Sequence, residues 1–507
     1  MNRSTGSLSL PPSTTGLASR AIRWSEEVSA GLLDALFRGP GELLSSYQVW
    51  FGRGWLTALY VFGLIVWAFF LNFGRIDWGV QDWIWEYRYT RVLEQAMATG
   101  RLPLHIEPAL VYGLNRFLAI PDVPLAPQIL ALRYLDQGTS FLINLLVMFT
   151  VGYTGCLLLR RHFQLSLVAF TVLTVLVSFN GFITAHLGIG HTFFTGYFYF
   201  PLLIYLVLRF LEAEVSRVWP VWVGLVLFGM ELQGSMHMLA FSLLFLALVA
   251  VFDARARAKV AAGIGVGLVF NLYRIAPAAL ALAPNVTTPY PGYVSVGDLL
   301  HSMIVLVPPS AAQRGLPIGW WELDLYVGVV GVLVLAFFGI YKTWWRPSQE
   351  TARFRPLGYV LLILVTISIG YFYMPAQWPS LPLLRLLHVP SRFMAVPLLV
   401  VAALAAVEMQ RWFRAYDFGN RLRAVFLLLM AYLIHDLVAH ARIWRVALVG
   451  QAFPSVPYEA AYQIVSLEDP LYVGVLAISS LVSLGGLLVA IGVILKARPR
   501  RNDGKGK

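Results

Sequence analysis

Charged residues are scarce in this sequence. Asp, Glu, Lys and Arg together make up 13% of its 507 residues, whereas about a quarter of an ordinary soluble domain is charged. Hydrophobic residues make up 58% of the chain, and the mean hydropathy is +0.70. No soluble core could bury this much apolar sequence. A soluble globular protein is therefore excluded, and we predict a chain embedded in lipid.

Cysteine is almost absent as well. The one cysteine, Cys156, lies in an apolar run, so an internal disulfide and a cysteine-cluster metal site are both excluded. The chain also lacks the glycine-rich phosphate loop, the dinucleotide-binding fingerprint, the nucleophile elbow of hydrolases and the HExxH zinc motif. These absences argue against an enzyme that handles nucleotides.

About twelve long apolar runs predict an all-α polytopic membrane protein. We place them at residues 55–73, 138–159, 164–184, 195–211, 218–234, 236–252, 259–283, 323–341, 357–374, 393–408, 424–440 and 471–495. They divide the chain into a cytoplasmic segment (1–54), a transmembrane domain (55–495) and a basic cytoplasmic tail (496–507). The cytoplasmic segment is predicted to be disordered at 1–16 and amphipathic at 17–37. In the first outer loop (74–137), Arg88–Ala98 is predicted to be helical, with Gly100 as its C-cap.

The chain has a net charge of +12, and its positive residues are concentrated in certain loops. Arg and Lys cluster between alternate pairs of predicted spans, for example at residues 160–161, 255–259 and 342–355. Cytoplasmic loops carry the excess of Lys and Arg in membrane proteins. The pattern therefore predicts that both termini are cytoplasmic. It leaves no basic soluble face of the kind that would indicate nucleic acid binding.

Ionisable side chains gather on the opposite, outer face. They comprise Asp77, Asp82 and Glu86 after the first span, His186, His191 and His237 in short turns, and Glu322, Tyr326 and Arg392 at the starts of later spans, with Arg274 deeper in the membrane. Each alone has a structural explanation, such as a helix cap or a salt bridge. Their convergence indicates a site, because an unpaired charge at membrane depth is costly. The five-residue spacing of the first two histidines disfavours a shared metal ion, so a divalent metal is possible but not indicated.

A sugar carried on a polyprenyl phosphate would suit such a site, because this donor approaches sideways from the bilayer. Its leaving group is a phosphate that needs nearby cations, and Arg392 and Arg274 are the candidates to bind it. The acceptor hydroxyl needs one carboxylate as general base. We assign substrate binding to His191, His237, Glu322, Tyr326, Trp83 and Tyr87.

Four short stretches resemble segments of a known family. They are QDWIWEYRYTRVLEQAMATGRLPL from residue 81, GHTFFTGYFYFPLLIYLVLRF from residue 190, WWELDLYVGVVGVLVLAFFGIY from residue 320 and HVPSRFMAVPLLVVAALAA from residue 388. In these stretches the chain resembles the C-type (GT-C) integral membrane glycosyltransferases, above all their YfhO-like bacterial multi-pass proteins. The resemblance implies a polyprenyl-phosphate sugar donor and an inverting transfer at the outer face of the bacterial inner membrane. It also implies a glycan, lipid or protein acceptor in the cell envelope.

The resemblance also implies a catalytic acid in the first outer loop. The distance to Gly-Arg-Leu-Pro favours Asp82, whereas closeness to the first span favours Asp77. We rank Asp82 first and Glu86 third. One departure is His105, where many of these proteins carry Trp.

Two other functions stay open at this point. A transporter or flippase for lipid-linked sugars would place ionisable residues near the middle of the membrane, as Arg274 does. A non-catalytic envelope-assembly protein of the same fold would tolerate the loss of Asp77 and Asp82.

Overall fold

The computed structural model describes residues 29–43, 45–212, 216–282, 290, 292–312, 318–347, 351–370, 387–416 and 419–497, apart from the side chain of residue 112. The predicted disordered stretch at 1–16, much of the amphipathic segment that follows it, and most of the basic tail lie outside these residues. Of the amphipathic segment, residues 29–37 are described, and they are helical.

Helices account for nearly all regular structure in the described part of the chain. They are α1 (Ser46–Phe70), α2 (Trp83–Thr99), α3 (Gln137–Phe163), α4 (Leu167–Phe179), α5 (Gly181–Gly188), α6 (Phe200–Glu212), α7 (Trp219–Leu232), α8 (Met236–Phe252), α9 (Arg257–Phe270), α10 (Leu272–Leu282), α11 (Val296–Ile304), α12 (Gly328–Val334), α13 (Arg355–Ser368), α14 (Ala395–Ala415), α15 (Asn420–Ile443), α16 (Val446–Ala452) and α17 (Pro470–Ala497). A π-helical segment, Leu335–Trp345, continues α12.

The predicted polytopic membrane protein is confirmed at this level. Among the described residues, eight helices are long and apolar enough to cross a membrane, and a ninth span is possible if the bent pair α9–α10 is counted as one. Helices α7 and α8 are apolar but shorter. The predicted span at 357–374 corresponds to α13, and its last residues lie outside the described part.

One predicted span is broken. The apolar run 259–283 was expected to be continuous, but α9 and α10 meet at an angle of 72°. Asn271 lies between them, and its side chain donates a hydrogen bond back to the carbonyl of Gly267 over 2.9 Å. This bond occupies a carbonyl at the end of α9 and helps to close that helix. A short polar side chain that bonds to nearby backbone competes with helix continuation.

Burial separates central helices from peripheral ones. The apolar window of the Leu167–Gly188 span is entirely buried inside the protein, and that of Pro390–Ala415 is 94% buried. In contrast, only 17% of the corresponding windows of α15 and α17 are buried, so these two helices present most of their surface to lipid. Both central helices are therefore enclosed by the rest of the protein, and the turns at their ends pack against buried residues.

The first outer loop contains a helix, as the sequence predicts, but it begins earlier than expected. Helix α2 starts directly after Asp82 and ends at Gly100. Gly100 has φ +66°, a left-handed conformation that favours glycine as a C-cap.

A two-stranded antiparallel sheet joins the first outer loop to the last outer loop, which connects α16 and α17. Strand β1 (His105–Glu107) pairs with β2 (Gln463–Val465). Beside it, the Arg116 guanidinium lies 2.7 Å from the carboxylate of Asp469. The two loops therefore form one layer over the helices.

Candidate functional site

The start of α2 is docked on the turn after α5. The backbone N–H of Asp82 donates to the carbonyl of Ile189 over 3.0 Å, and the Trp83 indole donates to the carbonyl of Gly188 over 3.1 Å. Gly190 has φ +94°, and a Cβ at this position would lie 2.3 Å from the backbone nitrogen of Trp83. Only glycine permits this approach, which brings the following residue, His191, against Asp82.

Three side chains, starting with Asp82, are connected in a hydrogen-bonded chain. Its Oδ2 lies 2.7 Å from Nε2 of His191, and Nδ1 of His191 lies 2.8 Å from Nδ1 of His186. His186 is fully buried, His191 nearly so, while the Asp82 side chain keeps 42% of its exposure. The Asp82 end of this hydrogen-bonded chain is therefore accessible, and the His186 end lies inside the protein.

Glu322 and Arg392 form a second group beside this chain. Nε of Arg392 donates to Oε2 of Glu322 over 2.8 Å, and Nη2 donates to Oε1 over 2.6 Å. Nη1 of the same guanidinium lies 3.2 Å from Nε2 of His237. The Glu322 Oε1 atom is 4.0 Å from Nε2 of His191, so the two groups form one cluster.

This cluster borders a cavity of about 270 Å³. Its walls combine acids, imidazoles, one guanidinium and aromatic rings, contributed by Asp82, Trp85, Tyr89, Val111, Asp122, Gly190, His191, Thr192, Phe193, His237, His388 and Arg392. A concave site with a few converging polar groups is the usual form of a small-molecule site. The cavity thus offers a carboxylate and a cation to the same bound molecule.

Both carboxylates of the cluster are ionised at neutral pH. Burial raises the pKa of Asp82, but the hydrogen bond from His191 and the charge of Arg392 outweigh it and hold this pKa below its usual value. Burial likewise raises the pKa of Glu322, and its ion pair with Arg392 reverses the shift. An ionised carboxylate can accept a proton from a bound hydroxyl.

Glu86, a predicted catalytic acid, faces a different space. Its Oε2 accepts a hydrogen bond from the Thr192 hydroxyl over 2.7 Å, and it lines a small cavity with Thr90, Gln137 and Asn144. Burial raises the pKa of Glu86 to about 7, although the Thr192 hydrogen bond opposes this shift. Because Glu86 does not line the larger cavity, we remove it from the candidate catalytic residues.

Replacing Glu86 by Gln is expected to flatten the pH dependence of thermal stability. The unfolded side chain ionises near its ordinary pKa of 4.5, while the folded one stays protonated up to about 7. Stability from this group is therefore complete below pH 4.5 and is lost as pH rises through about 7. Gln cannot ionise and keeps an acceptor for Thr192. Melting temperatures measured across this range will check the effect.

The control for this prediction is Glu94→Gln on the same helix. The Glu94 side chain is 40% exposed and pairs with Arg91, so its removal should leave the shape of the profile unchanged. Parallel profiles for the native protein and Glu86→Gln would contradict the assignment.

Asp77, the rival of Asp82, belongs to the outer loops and does not line the cavity. It is exposed, and its Oδ1 accepts hydrogen bonds from the backbone N–H of Gly79 over 3.0 Å and from the Ser455 hydroxyl over 2.8 Å. These contacts tie the first outer loop to the last. Of the two aspartates, only Asp82 borders the cavity.

Arg274 is an internal anchor, which differs from its predicted role in phosphate binding. It is fully buried, and its Nη1 donates to the carbonyl of Leu118 over 3.0 Å, while Nη2 donates to the carbonyl of Val123. Its Nε lies 3.7 Å from the carboxylate of Glu231. The Arg274 guanidinium therefore anchors the first outer loop to the helices beneath it. Arg274 is not among the residues that line the cavity.

Three predicted substrate-binding aromatics also have other positions. The Tyr326 hydroxyl donates to Asp436 over 2.8 Å, Trp83 is buried under the loop, and Tyr87 packs edge-on against Tyr458. None of these three lines the cavity. They pack around the residues that line the cavity, which differs from their predicted role in substrate binding.

Other aromatic and polar side chains line the cavity instead, and the sequence prediction missed Tyr89 and Asp122 among them. Trp85 and Tyr89 follow Asp82 at intervals of three and four residues on α2. Since residues at these intervals share a helix face, this spacing was a usable signal. Asp122 and His388 also line the cavity. No local pattern marks Asp122, because its cavity neighbours come from distant parts of the chain.

The two histidines predicted to be poorly spaced for a metal are in fact adjacent. Ligand atoms of His186, His191 and Glu322 all lie within 4.8 Å of one another. However, hydrogen bonds occupy three of the four ring nitrogens, and the Arg392 guanidinium already neutralises Glu322 through both oxygens. A metal ion bound by these three residues would have to displace those hydrogen bonds and that ion pair.

The chain matched no protein-family model, no curated protein and no solved structure in comparisons with each.

Proposed function

We propose that this chain is a membrane glycosyltransferase. It moves a sugar from a polyprenyl-phosphate donor to an acceptor hydroxyl, with inversion at the sugar carbon. The observation that carries the proposal is the pairing of an ionised carboxylate, Asp82, and a guanidinium, Arg392, on the walls of one cavity. This pair matches the two charges that the reaction handles.

In this reaction Asp82 accepts the proton of the acceptor hydroxyl while the oxygen attacks the sugar carbon. The bond from that carbon to the phosphate oxygen breaks on the opposite side, and the electron pair leaves with the phosphate. Arg392 stabilises the growing phosphate charge, because a preorganised cation is strongly effective where charge develops in the transition state. Glu322 holds the guanidinium by two parallel hydrogen bonds, which gives it a defined direction.

The size and walls of the cavity favour a single sugar ring. Its volume is about 270 Å³, near the lower end of the range for ligand pockets, about 300–1,000 Å³. Trp85, Tyr89 and Phe193 provide apolar faces for the ring carbons, and Asp122 and His388 provide polar groups for its hydroxyls. The prenyl chain of the donor would remain in the bilayer.

The location follows from the same proposal. The loop layer that carries Asp82 faces the outside of a bacterial inner membrane, and both termini are cytoplasmic, in keeping with the distribution of Lys and Arg. The acceptor is a glycan, lipid or protein of the cell envelope, approaching through the outer loops.

The test uses the purified chain in lipid nanodiscs. It is supplied with undecaprenyl phosphate carrying glucose, N-acetylglucosamine or arabinose, together with an extract of bacterial envelope lipids and glycans as the source of acceptor hydroxyls. Release of undecaprenyl phosphate is measured by mass spectrometry. Turnover of at least one donor, absent in Asp82→Asn, is expected. If no donor is bound or consumed by a correctly folded sample, the proposal fails.

A second function is favoured by one observation. The broken span at α9–α10 and the buried Arg274–Glu231 pair have the form that transporters use for sites near the middle of the membrane. A flippase would move a labelled prenyl-phosphate sugar across a vesicle membrane without cleaving it, whereas the proposed enzyme would cleave it. The same vesicles distinguish the two functions.

A further inference from the structure

Resting on the proposed transfer reaction, we propose that His186 is a positioning residue for the base Asp82. It contacts neither the cavity nor the reacting atoms. It acts through His191, which it fixes in one tautomer and one orientation, so that His191 donates a hydrogen bond to the Asp82 carboxylate.

The positions of the protons follow from the acceptor at the end of the chain. A carboxylate offers only lone pairs, so the His191 Nε2 atom, 2.7 Å from Asp82 Oδ2, must carry a proton. A neutral imidazole has one N–H, so Nδ1 of His191 is an acceptor. Nδ1 of His186, at 2.8 Å from it, must therefore be the donor.

This assignment also accounts for the remaining nitrogen. With its proton on Nδ1, His186 has a bare lone pair at Nε2. Among the described residues, this atom has no hydrogen-bond partner. In the opposite tautomer it would be a buried, unsatisfied donor. The direction of the chain from His186 to Asp82 is thus the one that satisfies every N–H group.

The ring of His186 is held tightly enough to orient another ring. It stacks on Phe194 with centroids 4.1 Å apart and an angle of 12° between the planes, and Phe182 packs edge-on at 4.8 Å. The residue lies on α5, at the fully buried outer end of a central span. A rotation of His186 would have to displace these neighbours.

The charges around the hydrogen-bonded chain determine how the protonation of Asp82 changes when one of its hydrogen bonds is lost. Asp82 faces His191, Arg392 and Glu322, and His186 faces His191, His237, Arg392 and Glu322. Burial is the largest influence on the pKa of Asp82, and it acts upward. When the hydrogen bond from His191 is lost, the charge of Arg392 is left to oppose this upward influence, so Asp82 becomes protonated at higher pH than in the native protein.

The experiment compares two substitutions at each histidine. His186→Asn keeps an N–H donor near the position of Nδ1, whereas His186→Leu removes it. His191→Gln and His191→Leu make the same comparison one step nearer to Asp82. His162→Leu is the control, since His162 pairs with Glu212 at a partly exposed position outside the cavity.

The first readout is the pH dependence of donor cleavage. For the native protein and His186→Asn, we expect a rate that stays level from about pH 7 to about pH 5, because Asp82 remains ionised. For His186→Leu, the fall in rate on acidification should begin at a higher pH than in these two proteins, with the apparent pKa raised by about one unit or more. Equal profiles for the Asn and Leu variants would overturn the proposal.

The second readout needs no donor and separates failure here from failure of the proposed function. Nitrogen-15 NMR of histidine-labelled protein in nanodiscs reports which ring nitrogen carries the proton. The His191 signal, assigned by its loss in His191→Gln, should show Nε2–H in the native protein and in His186→Asn. A native His191 protonated at Nδ1 instead would overturn the positioning role, whether or not any donor is cleaved.

Discussion

Replacing Asp82 by Asn is expected to lower sugar transfer by about 10²–10⁴-fold, the usual contribution of a general base. Asn has nearly the same shape as Asp, and its carbonyl can still accept the hydrogen bond from His191. It cannot take a proton from the acceptor. The side chain lies at the edge of the cavity and keeps 42% of its exposure, so the fold should persist. The rate of donor consumption at saturating acceptor is the measurement.

Asp77→Asn is the matched control. It makes the same chemical change five positions earlier, at an exposed residue whose carboxylate binds Gly79 and Ser455 and does not line the cavity. Its transfer rate should stay within about twofold of the native rate, because surface substitutions away from special features have small effects. A larger loss in Asp77→Asn than in Asp82→Asn would reverse the assignment. Full activity in both variants would remove the carboxylate base altogether.

Replacing Arg392 by Met should reduce both stability and donor binding. The two side chains of the Arg392–Glu322 pair are 7% and 8% exposed. Removing one partner leaves a buried, uncompensated charge, which costs about 3–5 kcal/mol. The variant would also lose the cation that binds the donor phosphate. Thermal unfolding in detergent and equilibrium binding of the donor measure the two effects.

The double variant Arg392→Met with Glu322→Leu separates these effects. Replacing both members of a buried ion pair by apolar residues is often nearly neutral for stability. We therefore expect the melting temperature to recover while donor binding stays lost. If the double variant binds the donor normally, Arg392 has no role in phosphate binding. Arg411→Met, which breaks the pair with Glu408 at 2.7 Å away from the cavity, should not affect donor binding.

The regular part of the fold was predictable because its signal is local. A span needs a run of apolar residues of fixed length, and each run that the sequence contains corresponds to helix in the described part of the chain. Gly100 also predicted the end of α2 correctly. The bend between α9 and α10 was missed because apolar residues continue across it. It depends on Asn271 and on contacts of Arg274 with a loop about 150 residues earlier.

The candidate site was predictable only in part. Sequence and topology led us to expect outer acids, histidines and an arginine on one face, and the structure brings Asp82, His191, His237, Glu322 and Arg392 together. Arg392 is buried against Glu322 and therefore does not extend to lipid headgroups.

The choice among similar residues required the tertiary structure. Asp77, Asp82 and Glu86 lie within ten positions of one another and carry the same functional group. Their differences come from distant neighbours: Ser455 binds Asp77, His191 binds Asp82, and Thr192 binds Glu86. No local pattern in the first outer loop encodes these partners.

The sequence by itself determined that this protein lies in lipid, that it is helical and that its ionisable groups belong to one face. Hydrophobic length and charge distribution are properties of the chain, and they act before any tertiary contact forms. The structure alone decided which carboxylate borders the cavity and which arginine is an anchor. These outcomes depend on contacts such as that between Trp83 and Gly188, 105 positions apart, which exist only after the helices have packed.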